Sequence, residues 1–137
     1  MSIPSFDSIQ IGDTLPPLDL PAVNRTMLAL FAGASGDHNP IHIDIDFARK
    51  AGMPDVLAHG MLGMAWLGRL LTNWAPPSQL RSFAVRFQGV THLANAIHCS
   101  GQIAEKRDAD RCVRITLHST NQHGQTKIAG DAWVQLV

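Results

Sequence analysis

The sequence has few cysteines, few charges and no long hydrophobic run, and each absence excludes a class of protein. Two of the 137 residues are cysteine, Cys99 and Cys112, and they form neither a CxxC pair nor a zinc-ribbon spacing. The chain therefore lacks the disulfide density of a small secreted domain. The longest apolar stretch, Met61–Leu71, is interrupted by two glycines and an arginine and is too short to span a bilayer.

Charge is both scarce and balanced. Lys plus Arg and Asp plus Glu number 11 each, and charged residues make up 16% of the chain. No basic stripe predicts nucleic acid binding, and no acidic tail predicts a cationic partner. Residues 1–20 show no basic segment followed by an apolar one, so no secretory signal is expected. With 45% hydrophobic residues, the composition predicts one folded domain over residues 1–137, cytoplasmic and without nucleic acid or membrane partners.

Three helices are predicted in the first half of the chain. The first covers Thr26–Ala32 and is preceded by Asn24, a residue type that caps helix N-termini. The second covers Asp44–Ala51. The third begins near His59 and runs to about Trp74, and because it is apolar nearly all round we expect it to be buried on most faces.

Beyond this helix the hydrophobic period changes to two, which predicts strands. Turn clusters at 106–110 and 121–125 separate the later strands. The alternating apolar residues fall into four groups: Phe83, Val85 and Phe87; Ile97, Cys99 and Ile103; Val113, Ile115 and Leu117; Ile128, Ala132, Val134 and Leu136. Four successive strands with short connections predict an antiparallel sheet. The pattern therefore predicts an α+β fold in which a curved sheet wraps around the long apolar helix.

Residues suited to chemistry are concentrated in one loop and at the start of the third helix. Asp37 and His42 lie five residues apart in a proline-containing loop, so a turn is needed to bring them together. A carboxylate and an imidazole can then hold one water, with one group accepting its proton and the other donating to the substrate. Gly60 lies where backbone N–H groups of the helix have no partner and are able to stabilise an oxyanion.

These residues resemble the MaoC-like, or (R)-specific enoyl-CoA hydratase, family of hot-dog proteins. The matching positions include Ser35-Gly36-Asp37, Asn39-Pro40-Ile41-His42 and Ala58-His59-Gly60-Met61. The resemblance implies a hot-dog fold, usually dimeric, in which Asp37 and His42 are catalytic and the Gly60 amide binds the oxyanion. The reaction implied is reversible syn hydration of a trans-2-enoyl thioester to an (R)-3-hydroxyacyl thioester. The thioester would be carried by CoA or acyl-carrier protein (ACP), and no cofactor is implied.

The neighbouring residues are assigned supporting roles. We expect Ser35 and Asn39 to fix the turn and His38 to face solvent. His59 is expected to cap the helix or orient a neighbour, and Met61 to lie near the substrate. The apolar helix surface is predicted as core packing, with part of it lining an acyl tunnel; it comprises Met61, Met64, Trp66, Leu67 and Leu70.

The sequence leaves several alternatives open. A hot-dog thioesterase would use a carboxylate to activate water against the thioester carbonyl, and a non-catalytic subunit would only bind acyl-CoA. The chain also resembles the catalytic subunits of heterodimeric 3-hydroxyacyl-ACP dehydratases, so a heteromer with a subunit lacking the Asp/His pair is an alternative to a homodimer. Which of Asp37 and His42 is the base and which the acid also stays open, because such a pair titrates as a unit.

Two further features bear on the site. A metal centre would draw on His38, His42, Asp44, Asp46 and His59. None is predicted, because no HExxH arrangement and no zinc-type Cys/His spacing is present. Ala94-Asn95 stands where the family often has Gly-Asp, a departure that affects a turn rather than the Asp37/His42 pair.

Overall fold

The computed structural model describes residues 4–137; residues 1–3, part of the segment in which no signal was predicted, lie outside the described residues. The helices are α1 (Arg25–Ser35), α2 (Ile45–Lys50) and α3 (Gly60–Trp74). The strands are β1 (Leu18–Asp19), β2 (Leu80–Phe87), β3 (His98–Arg107), β4 (Cys112–Thr120) and β5 (Thr126–Gln135). They form one antiparallel sheet in the order β1-β3-β4-β5-β2.

The helices begin and end at the residues that local chemistry favours. The Asn24 side chain accepts a hydrogen bond from a first-turn N–H of α1 at 2.9 Å, as predicted. Asp44 was predicted as the first residue of α2 but is its cap, because its side chain accepts two backbone N–H groups of the first turn. Helix α1 continues three residues past its predicted end to Ser35. Gly36 ends it with a left-handed φ of 76°, which glycine adopts without steric cost.

Helix α3 lies over one face of the sheet, and the core is packed between them. It contacts β2, β3, β4 and β5. The predicted apolar positions of β3, β4 and β5 are buried, together with five residues of α3: Leu62, Trp66, Leu67, Leu70 and Leu71. An added Cβ at Gly63 would lie only 2.7 Å from the Ile128 Cδ1 atom, so α3 sits directly on β5 at this point. The α+β prediction and the hot-dog arrangement are confirmed.

The prediction that α3 is buried on most of its faces is wrong for the single chain. Met61 is 55% exposed, and Ala65 and Arg69 are also exposed. The sheet covers only one side of the helix, which leaves the opposite side open. Among residues 4–137, no helix combines the length and the apolar character needed to cross a bilayer.

Two smaller predictions concern the cysteines and the turn after β2. Cys99 and Cys112 are buried strand residues, as predicted, and burial raises the pKa of Cys99 to about 12. Ala94 adopts a left-handed φ of 65° at the position where the family often has glycine. Its N–H donates to the Val23 carbonyl at 2.8 Å, and the Asn95 side chain accepts the His92 N–H at 3.1 Å. The turn is therefore kept without a glycine.

Candidate active site

Asp37 is held in a turn built by side-chain-to-backbone hydrogen bonds. Its N–H donates to Ser35 Oγ at 3.2 Å, and its Oδ1 accepts the Asn39 N–H at 3.2 Å. The Asn39 side chain in turn accepts the Ile41 N–H at 3.1 Å. Short polar side chains favour such local bonds over helix continuation. The structure thus places Ser35 and Asn39 in the turn, while His38 is exposed, as expected.

His42 occupies a single 3₁₀ turn, Pro40–His42, and its ring is fixed by the backbone. Its Nδ1 lies 2.7 Å from the Leu57 carbonyl oxygen. Because a carbonyl only accepts hydrogen bonds, Nδ1 carries the proton, and Nε2 of the neutral ring presents a lone pair. Nε2 lies 3.9 Å from Asp37 Oδ2. This separation is too long for a direct hydrogen bond but suits a water bridging both atoms.

The segment that enters α3 is held between two loops. The Leu57 N–H donates to the Ile41 carbonyl at 3.3 Å, and the Ala58 N–H donates to the Thr91 carbonyl at 2.9 Å. These bonds bring the first turn of α3 beside the Asp37–His42 turn. Within the described part of the chain, the Gly60 and Met61 N–H groups have no hydrogen-bond acceptor. They are free donors at the start of α3, and the binding of an oxyanion by the Gly60 N–H stays a prediction.

His59 contacts both members of the pair. Its ring stacks on that of His42, with centroids 3.8 Å apart and planes 24° apart, and it meets Phe31 edge-on at 4.8 Å. Its Nε2 donates to the Asp37 carbonyl at 3.2 Å. His59 makes no side-chain cap bond, so of the two expected roles the contacts match orienting a neighbour. Burial lowers the pKa of His59 below its ordinary value of 6.5, and the residue is 2% exposed.

The neutral His59 ring has one nitrogen without a partner. With the proton on Nε2, Nδ1 is left as an acceptor, and in residues 4–137 no donor reaches it. The ligand atoms of Asp37, His42 and His59 all lie within 4.8 Å of one another, which suits a metal in distance. The stacked imidazoles, however, direct their in-plane lone pairs side by side rather than toward one point about 2.0 Å from each nitrogen. Asp44, another predicted donor, is engaged as the α2 cap. The absence of a metal stays a prediction.

A cavity of about 390 Å³ adjoins the first turn of α3. It lies between α3, the end of β2 with the following loop, and Ile128 of β5. His59 and Gly60 line the cavity and thereby connect it to the Asp37–His42 turn. Asp37, His42 and Met61 do not line it, so the structure does not place Met61 beside the predicted substrate site.

The site and the fold agree with a sequence match. The family profile described as "MaoC like domain" matches residues 10–123. The chain belongs to this family. Structural comparison agrees: a MaoC-like dehydratase is 30% identical to this MaoC-like chain with a TM-score of 0.91, covering 98% of this chain and 43% of the other. The (R)-hydratase from A. caviae has the same fold, with a TM-score of 0.86 at 23% identity over 95% of this chain and 98% of that one.

Curated relatives are dehydratases and fatty acid synthase subunits. The mitochondrial 3-hydroxyacyl-[acyl-carrier-protein] dehydratase of Arabidopsis thaliana is 28% identical over 96 residues, 70% of this chain. The fatty acid synthase subunit beta of Saccharomyces cerevisiae is 29% identical over 112 residues, 77% of this chain. The match spans 57% of the plant protein and 5% of the yeast protein. The MaoC-like chain is thus related to hydratases and dehydratases of fatty acid metabolism.

Several residues of this MaoC-like site could not be found from the sequence. The Leu57 carbonyl sets the His42 tautomer, and the Phe87 ring faces Gly60. Lys127 is 6% exposed and its Nζ donates to the Val90 carbonyl at 2.8 Å, while the Lys127 carbonyl accepts the Gln88 N–H at 2.8 Å. Lys127 therefore holds the loop after β2, which forms one wall of the cavity, against β5. In the sequence it is an ordinary polar residue of an alternating strand, so no local signal marks it.

Proposed function

We propose that this MaoC-like chain interconverts a trans-2-enoyl thioester and an (R)-3-hydroxyacyl thioester by adding or removing water. The observation that supports this most is the position of Asp37 Oδ2 and His42 Nε2, 3.9 Å apart and next to the free amides of α3. The dehydratase and hydratase relatives agree with the same chemistry. The (R) configuration is the outcome that the family resemblance implies.

The thioester carbonyl binds at the start of α3. Its oxygen accepts the Gly60 N–H, where the positive end of the helix dipole adds to the interaction. Withdrawal of charge toward this oxygen leaves C3 electron-poor and open to attack by water. The oxyanion that forms as water adds is stabilised by the same donor, which is in place before the reaction begins.

The water lies between Asp37 and His42. His42 Nε2 has the lone pair and accepts one water proton while the water oxygen attacks C3. The imidazolium then returns that proton to C2, so that OH and H add to the same face. Asp37 accepts the second O–H of the water and faces the transient positive charge on His42. Dehydration follows the same steps in reverse.

A second copy of the chain is the proposed partner in assembly. Strand β2 is at the edge of the sheet formed by residues 4–137, and an unpaired edge is suited to pairing with another strand. Large apolar side chains at the end of β2 and in the loop after it are open, with Phe87 53% and Val90 41% exposed. The acyl carrier is CoA or ACP.

The test is hydration of crotonyl-CoA by the purified protein, followed as loss of the conjugated enoyl absorbance. Asp37→Asn and His42→Ala are expected to lower kcat by roughly 10²-fold to 10⁴-fold, the range for general acid–base groups. His38→Ala is the matched control, because His38 is exposed in the same loop and is assigned no role. Near-normal turnover by a folded Asp37→Asn variant would refute the mechanism.

The other outcomes point to the alternatives. Release of free thiol from a saturated acyl-CoA would favour a thioesterase. Failure of the wild type on crotonyl-CoA, longer enoyl-CoAs and an enoyl-ACP would favour a non-catalytic or heteromeric subunit.

A further inference from the structure

His59 contacts both Asp37 and His42 from a third segment of the chain. Its Nε2–H donates to the Asp37 carbonyl at 3.2 Å, and its ring stacks on the His42 ring with centroids 3.8 Å apart. Asp37 and His42 lie in the loop and 3₁₀ turn after α1, whereas His59 is the residue that leads into α3. His59 therefore joins the pair to the helix that carries the Gly60 amide.

Packing alone does not explain an imidazole at position 59. His59 is 2% exposed, and its Nδ1 has no hydrogen-bond partner among residues 4–137. A buried acceptor without a partner lowers stability, and such an atom in a folded protein calls for a functional explanation. A phenyl ring would fill similar space without burying a polar atom. The explanation must therefore lie in what the Nε2–H and the ring of His59 do for their neighbours.

The bond to the Asp37 carbonyl supplies a constraint that the turn lacks. The other hydrogen bonds of Asp37 within the described residues are to Ser35 and Asn39, each two positions away. These bonds shape the turn but do not tie Asp37 to another segment. The Asp37 side chain is 49% exposed, so the surrounding core does not hold it either. The His59 N–H thus anchors the turn that sets the 3.9 Å separation of Asp37 Oδ2 and His42 Nε2.

The stacked ring acts on His42 at the step in which His42 takes a proton. In the proposed mechanism His42 becomes an imidazolium, and a cation over the face of a neutral aromatic ring is attracted to its π electrons. Burial lowers the pKa of His59, which keeps this ring neutral and avoids two positive charges 3.8 Å apart. The attraction is stronger in the transition state than in the enzyme–substrate complex, so it raises kcat and leaves KM nearly unchanged.

We propose that His59 is a positioning residue, which anchors the Asp37 turn through one hydrogen bond and holds the His42 ring by stacking. Its kinetic consequence rests on the proposed function. The two contacts use different parts of the side chain, so substitutions can remove them one at a time. His59→Phe keeps a ring to stack on His42 but has no N–H for the Asp37 carbonyl. His59→Gln keeps an N–H but has no ring.

The first experiment measures kcat and KM for crotonyl-CoA in the wild type and both variants, each well below its melting temperature. Loss of the stack in His59→Gln is expected to lower kcat about tenfold and to change KM by less than about twofold. His59→Phe should lose about fivefold, because only one neutral hydrogen bond is removed. His38→Gln is the matched control, because it makes the same change at an exposed histidine of the same loop and should keep the wild-type kcat. A merely structural histidine would lower the melting temperature and leave the kcat of the folded variants unchanged.

Proton NMR of the protein without substrate gives a second readout that needs no turnover. The ring current of an aromatic ring stacked at 3.8 Å displaces the signals of the carbon-bound ring protons of His42, which are assigned by comparison with His42→Ala. The displacement is expected in the wild type and in His59→Phe. It should be lost in His59→Gln.

The outcomes separate the two proposals. Wild-type kcat in a folded His59→Gln variant would overturn the positioning role and leave hydration intact, and so would His42 signals that are not displaced in the wild type. No hydration of crotonyl-CoA, longer enoyl-CoAs or an enoyl-ACP by the wild type would overturn the proposed function. In that case, His42 signals displaced in the wild type and in His59→Phe but not in His59→Gln would support the positioning of His42 by His59.

Discussion

Replacing Gly60 by alanine should separate catalysis from folding. The new methyl group would lie 3.2 Å from Cδ1 and Cε1 of the Phe87 ring, a few tenths of an ångström inside an optimal carbon–carbon contact. The contact is with the ring of one side chain, so a shift of the Phe87 ring by a few tenths of an ångström relieves it at small cost. The stability of the fold should therefore change by less than about 1 kcal/mol, because alanine also favours the helix over glycine.

The same methyl group should remove most of the activity. It stands where the thioester must approach the Gly60 N–H, and loss of one oxyanion donor typically lowers kcat by about 10²-fold to 10³-fold. The assay is crotonyl-CoA hydration beside a urea unfolding curve. Gly68→Ala is the matched control, because its Cβ would make an ordinary 3.4 Å contact with Phe83 and lies outside the cavity. Wild-type kcat/KM in Gly60→Ala would refute the oxyanion role of this amide.

Three further predictions concern residues around the site. Because burial depresses the pKa of His59, the unfolded chain binds a proton below about pH 6.5 that the folded chain resists, so the free energy of unfolding should fall as pH drops below that value. Urea unfolding curves at about pH 7 and about pH 5.5 should show a smaller decrease in the free energy of unfolding for His59→Gln than for the wild type. Equal decreases in the two proteins would contradict the prediction. Lys127→Met leaves the Val90 carbonyl unpaired and should lower the free energy of unfolding by about 1–3 kcal/mol. Because this bond holds one wall of the cavity, the substitution should raise KM more than it lowers kcat. An unchanged KM would argue against this role of Lys127. Ala94→Gly should raise the melting temperature. Alanine in the left-handed conformation costs roughly 1–2 kcal/mol, which exceeds the roughly 0.5–1 kcal/mol that the greater backbone entropy of glycine costs on folding. A lower melting temperature would contradict the strain at Ala94.

Local chemistry explains why most elements could be predicted. Asn24 begins α1 through one side-chain bond, and a change of hydrophobic period marks where strands replace helices. Each of these signals involves residues within a few positions of one another. The predicted start of α2 was one residue too early because the Asp44 side chain is equally suited to the cap and to the first turn.

The arrangement around the Asp37–His42 pair could be predicted only in part. The turn between the two residues is local, and the sequence shows the Ser, Asn and Pro that build it. The exposed side of α3 was missed because an apolar helix in isolation does not reveal how much of it the sheet can cover. The sequence left two roles open for His59, a helix cap or a residue that orients a neighbour, and only the structure shows its ring stacked on His42, seventeen residues earlier in the chain.

The sequence by itself determined the class of fold, the order of the main helices and strands, and the candidate residues for the proposed chemistry, because caps, turns and periodicity depend on near neighbours. Only the tertiary structure decided how those residues are arranged relative to one another. The Leu57 carbonyl fixes the His42 tautomer, and the Lys127 side chain holds the loop after β2 against β5. These contacts join residues far apart in the chain, and their geometry depends on how the whole core packs.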